Sequence, residues 1–235
     1  MAATFDLTAN QDQSSLKSGL RIIVTAPPGS GQVWLTHTLA SIYDLDVLSG
    51  DARPVGRRRG SCQLRADGQF AQGAIFRTHS AYGRKLVERW QSVPANIVTI
   101  VRDPYDLFAA MHHHVQTSSH PAALDRLPRR FSMAGNHIED EQAIRYLTDD
   151  FDRVLRRSVR WALDDRVHRV RFEDLRDDPV RTIAHLTAQI EPVPPGRIEY
   201  ALQSAIIERR RSFDWPGNNP TSASLNAGHL DVFRR

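Results

Sequence analysis

Lysine is nearly missing from this chain. Lys17 and Lys85 are the only two, although Lys and Arg together number 31 among 235 residues. Any anion must therefore be recognised by forked guanidinium groups and backbone amides. Cysteine is scarcer still: Cys62 stands alone, which excludes an intrachain disulfide and suits a reducing compartment. No run of roughly 18 apolar residues is present to span a bilayer. The opening residues, MAATFDLTANQDQSS, lack a basic-then-apolar secretory pattern. A cytoplasmic protein with no membrane span is expected. A formal net charge of +4 admits an anionic ligand but is too mild to require nucleic acid, so none is expected as a partner.

Apolar residues make up 40% of the chain and charged residues 25%, which is ordinary for a globular protein. The length fits one medium α/β domain over 21–235, preceded by a flexible, mostly polar arm over 1–20. That domain is organised around RIIVTAPPGSGQVWLTHTLA, residues 21–40. Ile22, Ile23 and Val24 suit a buried strand. Pro27, Pro28, Gly29, Ser30 and Gly31 force a tight loop. Val33, Trp34, Thr38 and Leu39 then recur at helical spacing, with Ser30 placed as the N-cap. A strand feeding a Gly-rich loop that opens a helix is a phosphate cradle, because consecutive N–H groups and the positive helix end face one point. Glycines also make ordinary turns, so the loop alone leaves that alternative open.

Further along, Asp46 to Ser49 and Cys62 to Phe70 read as short strands, on either side of the Gly50–Gly60 loop with its Arg57-Arg58-Arg59 run. Ala74 to Phe76 is an apolar strand ending in Arg77-Thr78-His79-Ser80, and a helix follows from about Ala81 to Trp90. Asn96 to Val101 is the clearest buried strand and ends in Arg102-Asp103-Pro104. Asp103 can cap the next helix, whose first turn accepts Pro104. Thr117 to Asp140 reads as a long loop with short helical pieces. One stripe from Ile144 to Trp161 predicts a single long helix. Arg166 to Phe172 alternates as a strand, Glu173 to Leu175 turns the chain, and helices follow from Pro179 and around Ile198 to Arg210. Alternating strands and helices predict an α/β fold, a P-loop-like central parallel sheet covered by helices on both faces. Three segments, Pro28 to Trp34, Arg77 to Ser80 and Arg102 to Pro104, each follow an apolar strand, so all should gather where such sheets bind ligands.

Five stretches carry a family resemblance. Pro28-Gly29-Ser30-Gly31-Gln32-Val33-Trp34-Leu35 resembles the 5′-phosphosulfate loop of the PAPS-dependent sulfotransferases, Pro-Lys-Ser-Gly-Thr-Thr-Trp-Leu. Arg77-Thr78-His79 is similar to the family's Lys-Thr-His segment, and Val101-Arg102-Asp103-Pro104 to its Arg-Asp/Asn-Pro strand end. Arg171 to Pro179 is like the family's Tyr-Glu-Asp-Leu-x-x-Asp-Pro stretch, which implies a structural role there. Gly228 to Arg234 resembles its C-terminal closing segment, with Asp231 and Phe233 in place of Gly and Trp.

The resemblance implies a sulfotransferase-like fold and transfer of a sulfuryl group from 3′-phosphoadenosine-5′-phosphosulfate (PAPS) to a hydroxyl or amine. It implies no metal, and 3′,5′-diphosphoadenosine as product. Pro28, Gly29, Ser30, Gly31, Gln32, Val33 and Trp34 would hold the phosphosulfate, while Arg102 and Arg234 would hold the 3′-phosphate. His79 would be the general base and Arg77 would stabilise charge on the donor's bridging oxygen. A small molecule, a lipid or a saccharide would be the acceptor, and the oligomeric state is left open. Two positions depart from the pattern: Gly29 replaces the loop Lys, and Ala110 replaces a Ser that completes the 3′-phosphate site.

Bland readings compete with these. His79 can be a strand-end residue bonding backbone, and Arg102 can pair with Asp106 at a helix start. A non-catalytic binding protein on the same fold is the second functional reading. A metal-dependent kinase or nucleotidase is the third, disfavoured because Gln32 and Val33 stand where the Walker pattern needs Lys and a magnesium-binding hydroxyl. His112-His113-His114 cannot close on one ion, since consecutive helical residues point about 100° apart.

Overall fold

The computed structural model describes residues 19–49, 72–117 and 129–209. Most of the arm, the Gly50–Gly60 loop, the Cys62–Phe70 strand, part of the Thr117–Asp140 loop and the tail with Arg234 lie outside the described residues. The elements are β1 (Arg21–Thr25), α1 (Gln32–Tyr43), β2 (Asp46–Ser49), β3 (Ala74–Thr78), α2 (Arg84–Gln91), β4 (Asn96–Val101) and α3 (Pro104–Thr117). They continue with α4 (Glu141–Tyr146), α5 (Asp152–Ala162), β5 (Val167–Arg171), α6 (Phe172–Asp177), α7 (Pro179–Ile190) and α8 (Pro195–Arg209).

The strands form one sheet in the order β2-β3-β1-β4-β5, every neighbouring pair parallel. Alternation along each strand sorts the core into two layers. Ile22, Val24, Ile75, Val98 and Ile100 pack against α1, α7 and α8 through Leu35, Leu39, Ile183 and Leu202. Ile23, Phe76 and Ile97 face the other way, onto Val87 and Trp90 of α2 and Trp161 of α5. Trp90 and Trp161 stack with centroids 5.4 Å apart. Each such fully buried Ile or Leu contributes roughly 1.5–3 kcal/mol. The sheet is thus helix-covered on both faces, as the sequence predicts. No helix among the described residues is long and apolar enough to cross a membrane.

Four local expectations need correction. Gly31, not Ser30, is the N-cap of α1: its backbone is left-handed (φ 83°) and no side chain caps the helix. The helix expected from Ala81 starts at Arg84, because the chain before it is held by Trp161, whose Nε1 donates to the Ser80 carbonyl. The Ile144–Trp161 stripe is not one regular helix; a π-helical turn, Leu147–Phe151, separates α4 from α5. The wider turn rotates the stripe. Ala143, Tyr146, Leu147 and Phe151 pack on α3, whereas Trp161 reaches the sheet. Glu173 to Leu175 is not a plain turn but part of α6.

Candidate functional site

β1 lies between β3 and β4, so the carboxyl ends of these three strands are neighbours. Four side-chain links tie them together. Gln32 Nε2 donates to the Val24 and Thr78 carbonyls, each at 2.6 Å. Thr99 Oγ1 donates to the Thr25 carbonyl at 2.8 Å. His79 Nδ1 lies 2.6 Å from the Ala26 carbonyl oxygen. Arg102 donates from a terminal nitrogen to the Gly29 carbonyl. The crevice expected from the strand order is therefore cross-braced at its base.

The loop itself runs Pro27 to Gly31. Ser30 donates from both its N–H and its hydroxyl to the Pro27 carbonyl, closing a turn. Gly29 and Gly31 both have left-handed backbone, with φ of 82° and 83°, a region where an L side chain is strained. Space is also short. A Cβ on Gly29 would lie 3.1 Å from the Met111 nitrogen and 3.2 Å from the Ala110 Cβ, and one on Gly31 would lie 3.0 Å from the Phe172 ring. The two departures from the resembled motif, at 29 and 110, are thus in contact: small residues at both let the loop sit directly on α3. Beyond the loop, the first N–H groups of α1 have no intrahelical acceptor and form the positive end of the helix.

The seven loop positions separate by depth. Gln32 and Trp34 are buried, Gln32 bridging two strands and Trp34 in the apolar layer. A ligand at the turn would meet them through backbone N–H groups. Pro28, Gly29 and Val33 are half-buried. Gln32 Oε1 is buried and finds no hydrogen-bond partner among the described residues.

Arg102 is 5% exposed and its guanidinium stacks 4.0 Å above the Phe172 ring. Burial lowers its pKa to about 10, opposed by the nearby carboxylates of Asp106, Glu173 and Asp103. Asp103 caps α3, its Oδ1 accepting from the N–H groups of Tyr105 and Asp106. Its own N–H donates to Glu173 Oε1 at 2.9 Å. Phe172 under the guanidinium and Glu173 on the Asp103 N–H therefore brace the strand end that carries Arg102, a role that only the folded contacts reveal.

His79 is exposed. A carbonyl only accepts, so the nitrogen facing Ala26 carries the hydrogen, and the neutral ring has its lone pair on Nε2. The imidazole borders a cavity of about 110 Å³ lined by Pro27, Pro28, Met111 and residues of α5. Three groups there carry no motif in the sequence: Arg130, Tyr146 and Arg157. Burial pushes the Tyr146 phenol up to about 12, with Arg130 and Arg157 pulling the other way. Arg77 is half-buried on the same strand face as Ile75, and Arg234 is outside the described residues. His112 Nε2 lies 3.0 Å from the Asn136 carbonyl oxygen. Among the described residues no three His, Cys, Asp or Glu side chains gather as a metal site.

No family model and no curated protein matches the sequence. Solved structures do, and the fold is that of the sulfotransferases. Mouse sulfotransferase SULT7A1 complexed with PAP superposes with a TM-score of 0.57 at 15% identity, over 91% of this chain and 74% of that one. Retinol dehydratase in complex with androsterone and inactive cofactor PAP gives 0.54 at 12% identity, over 86% and 67%. At such identities the likeness is one of fold.

Proposed function

We propose that the protein is a PAPS-dependent sulfotransferase. The observation that carries the reading is the meeting of a doubly left-handed glycine turn, a tautomerically fixed imidazole and a buried guanidinium at three adjacent strand ends. The residues suit a phosphosulfate. The cradle at Gly29 and Gly31 is one that a Cβ would fill, and the first N–H groups of α1, which have no intrahelical acceptor, suit an oxyanion. Ser30 and Val33 belong to that cradle. The forked guanidinium of Arg102 suits the 3′-phosphate, and Arg234, outside the described residues, would share that task as the resemblance implies. When bound, the donor supplies the sulfuryl group, whose bond to the 5′-phosphate breaks as the acceptor oxygen bonds to sulfur, the electron pair leaving with the phosphate.

The chain's own work is proton removal and alignment. His79 takes the acceptor proton on Nε2, the nitrogen left basic by the Ala26 contact. Gln32 holds the ends of β1 and β3 in register, which fixes His79 against the loop. Arg77 stabilises charge developing at the donor's bridging oxygen. In calorimetric titration, 3′,5′-diphosphoadenosine should bind below millimolar concentration, and absence of binding overturns the reading. His79→Ala should abolish transfer by about two orders of magnitude or more while nucleotide affinity stays intact. A variant that turns over normally would reduce His79 to a structural residue.

A further inference from the structure

The cavity beside His79 has two unlike walls. Pro27 and Pro28 form one of them, and proline has no N–H to offer an anion. Arg130, from the 3-10 turn Arg129–Met133, and Arg157, from α5, belong to the other. Two guanidinium groups, Arg130 and Arg157, and one carboxylate, Asp150, act on the Tyr146 phenol from that side. The nearby carboxylate of Asp150 is only 16% exposed and lies 3.6 Å from Arg153. Arg156 is matched to Asp152 at 2.7 Å. Arg157 forms no ion pair among the described residues, and Ser158 beside it adds a hydroxyl. Met111, Val154 and Trp161 add apolar surface to the lining.

The geometry points to an acceptor that carries its own negative charge, a hydroxylated carboxylate or a phosphate or sulfate ester, bound with its anionic end between Arg130 and Arg157 and its hydroxyl at His79. This rests on the proposed sulfuryl transfer. The donor's oxyanions belong at the N–H groups that open α1, so the guanidinium wall is left for the acceptor. A guanidinium–carboxylate contact is charge-assisted and worth about tenfold or more in affinity. The same wall disfavours an ammonium-bearing acceptor.

The probes are 4-hydroxyphenylacetate, its methyl ester and tyramine, titrated into the full chain saturated with 3′,5′-diphosphoadenosine. The carboxylate is expected to bind about tenfold tighter than the ester, with tyramine weakest. Arg157→Gln and Arg130→Gln should each erase most of that preference and leave diphosphate affinity within about twofold, since a charged hydrogen bond accounts for the difference. Equal binding of the three probes overturns the inference, as does no binding below about 10 mM (about 3 kcal/mol of affinity) while the diphosphate still binds. A preference that survives both substitutions overturns it too. Loss of diphosphate affinity in Arg157→Gln, with the carboxylate preference kept, would assign the wall to the donor instead. If the diphosphate fails to bind any variant but the carboxylate preference holds without it and collapses in the variants, the anionic pocket stands and the transferase reading falls.

Discussion

The Pro27–Gly31 turn and the α5 side both border the same cavity, yet they present polarity in different ways. The turn is close-packed and contributes backbone: its glycines lie against Ala110, Met111 and Phe172, and its carbonyl at Gly29 is held by a guanidinium buried beneath it. The α5 side is open and contributes side chains, with Arg157 exposed and Arg130 half-buried. If the turn holds the donor as proposed, the contrast explains how it would do so without a lysine. A loop that leans on its neighbour helix has no room for a long side chain, and the charge moves to the strand end below and the helix opposite.

The sharpest way to break this comparison is Gly29→Lys, which restores the residue of the resembled motif. If the loop were merely degenerate, the lysine would strengthen nucleotide binding. The left-handed φ and the 3.1 Å approach to the backbone nitrogen of Met111 argue the reverse. The variant is expected to lose about 3 kcal/mol in urea denaturation, from strain and overpacking together, and to bind 3′,5′-diphosphoadenosine more weakly. Tighter binding at unchanged stability would mean that the loop can lift off α3.

A smaller effect is expected from Arg102→Lys. The charge survives, but the flat stacking on Phe172 and the forked donation do not. About 1–2 kcal/mol of stability should go, from a lost charged hydrogen bond and cation–π contact. Diphosphate affinity should fall about tenfold, the equivalent of that energy. Unchanged affinity would confine Arg102 to bracing the turn.

What the sequence made legible follows the same division. β1, β3 and β4 are short β-branched apolar runs, and their order against helices was enough to place three motif segments at one sheet end. The Asp103 cap and Pro104 were legible because helix starts are local chemistry. The π turn at Leu147–Phe151 was not, since a stripe of apolar residues reads the same whether it serves one core layer or two. Gln32 looked like a failed Walker lysine; its work is to join carbonyls on two strands far apart in sequence. Gly29 and Ala110 looked like two separate losses, and only their contact makes them one feature. Arg130 and Arg157 belong to no motif, and nothing short of packing brings them to one cavity.

The mildest probe addresses the open side from behind. Tyr82 meets the edge of Trp161 with centroids 5.2 Å apart, and Trp161 borders the cavity. Tyr82 in turn donates to Asp164 Oδ2 at 3.0 Å, and Arg166 holds the same carboxylate at 2.7 Å. The hydrogen bond from Arg166, foremost, lowers the Asp164 pKa from 3.8 to about 2. A carboxylate whose pKa is depressed by folding stabilises the fold fully above its unfolded value, and that contribution fades as pH falls toward 2. Arg166 is partly solvent-facing, so screening leaves about 1 kcal/mol at neutral pH. Asp164→Asn should therefore cost about that much at pH 7, and the gap between variant and parent should narrow between pH 4 and pH 2. Acceptor affinity should change less than about twofold, because the ring of Trp161 stays stacked on Trp90. If the gap were flat with pH, the carboxylate would act through shape alone. A large loss of acceptor binding would instead mean that the open side is as tightly braced as the turn, and the contrast between the two would disappear.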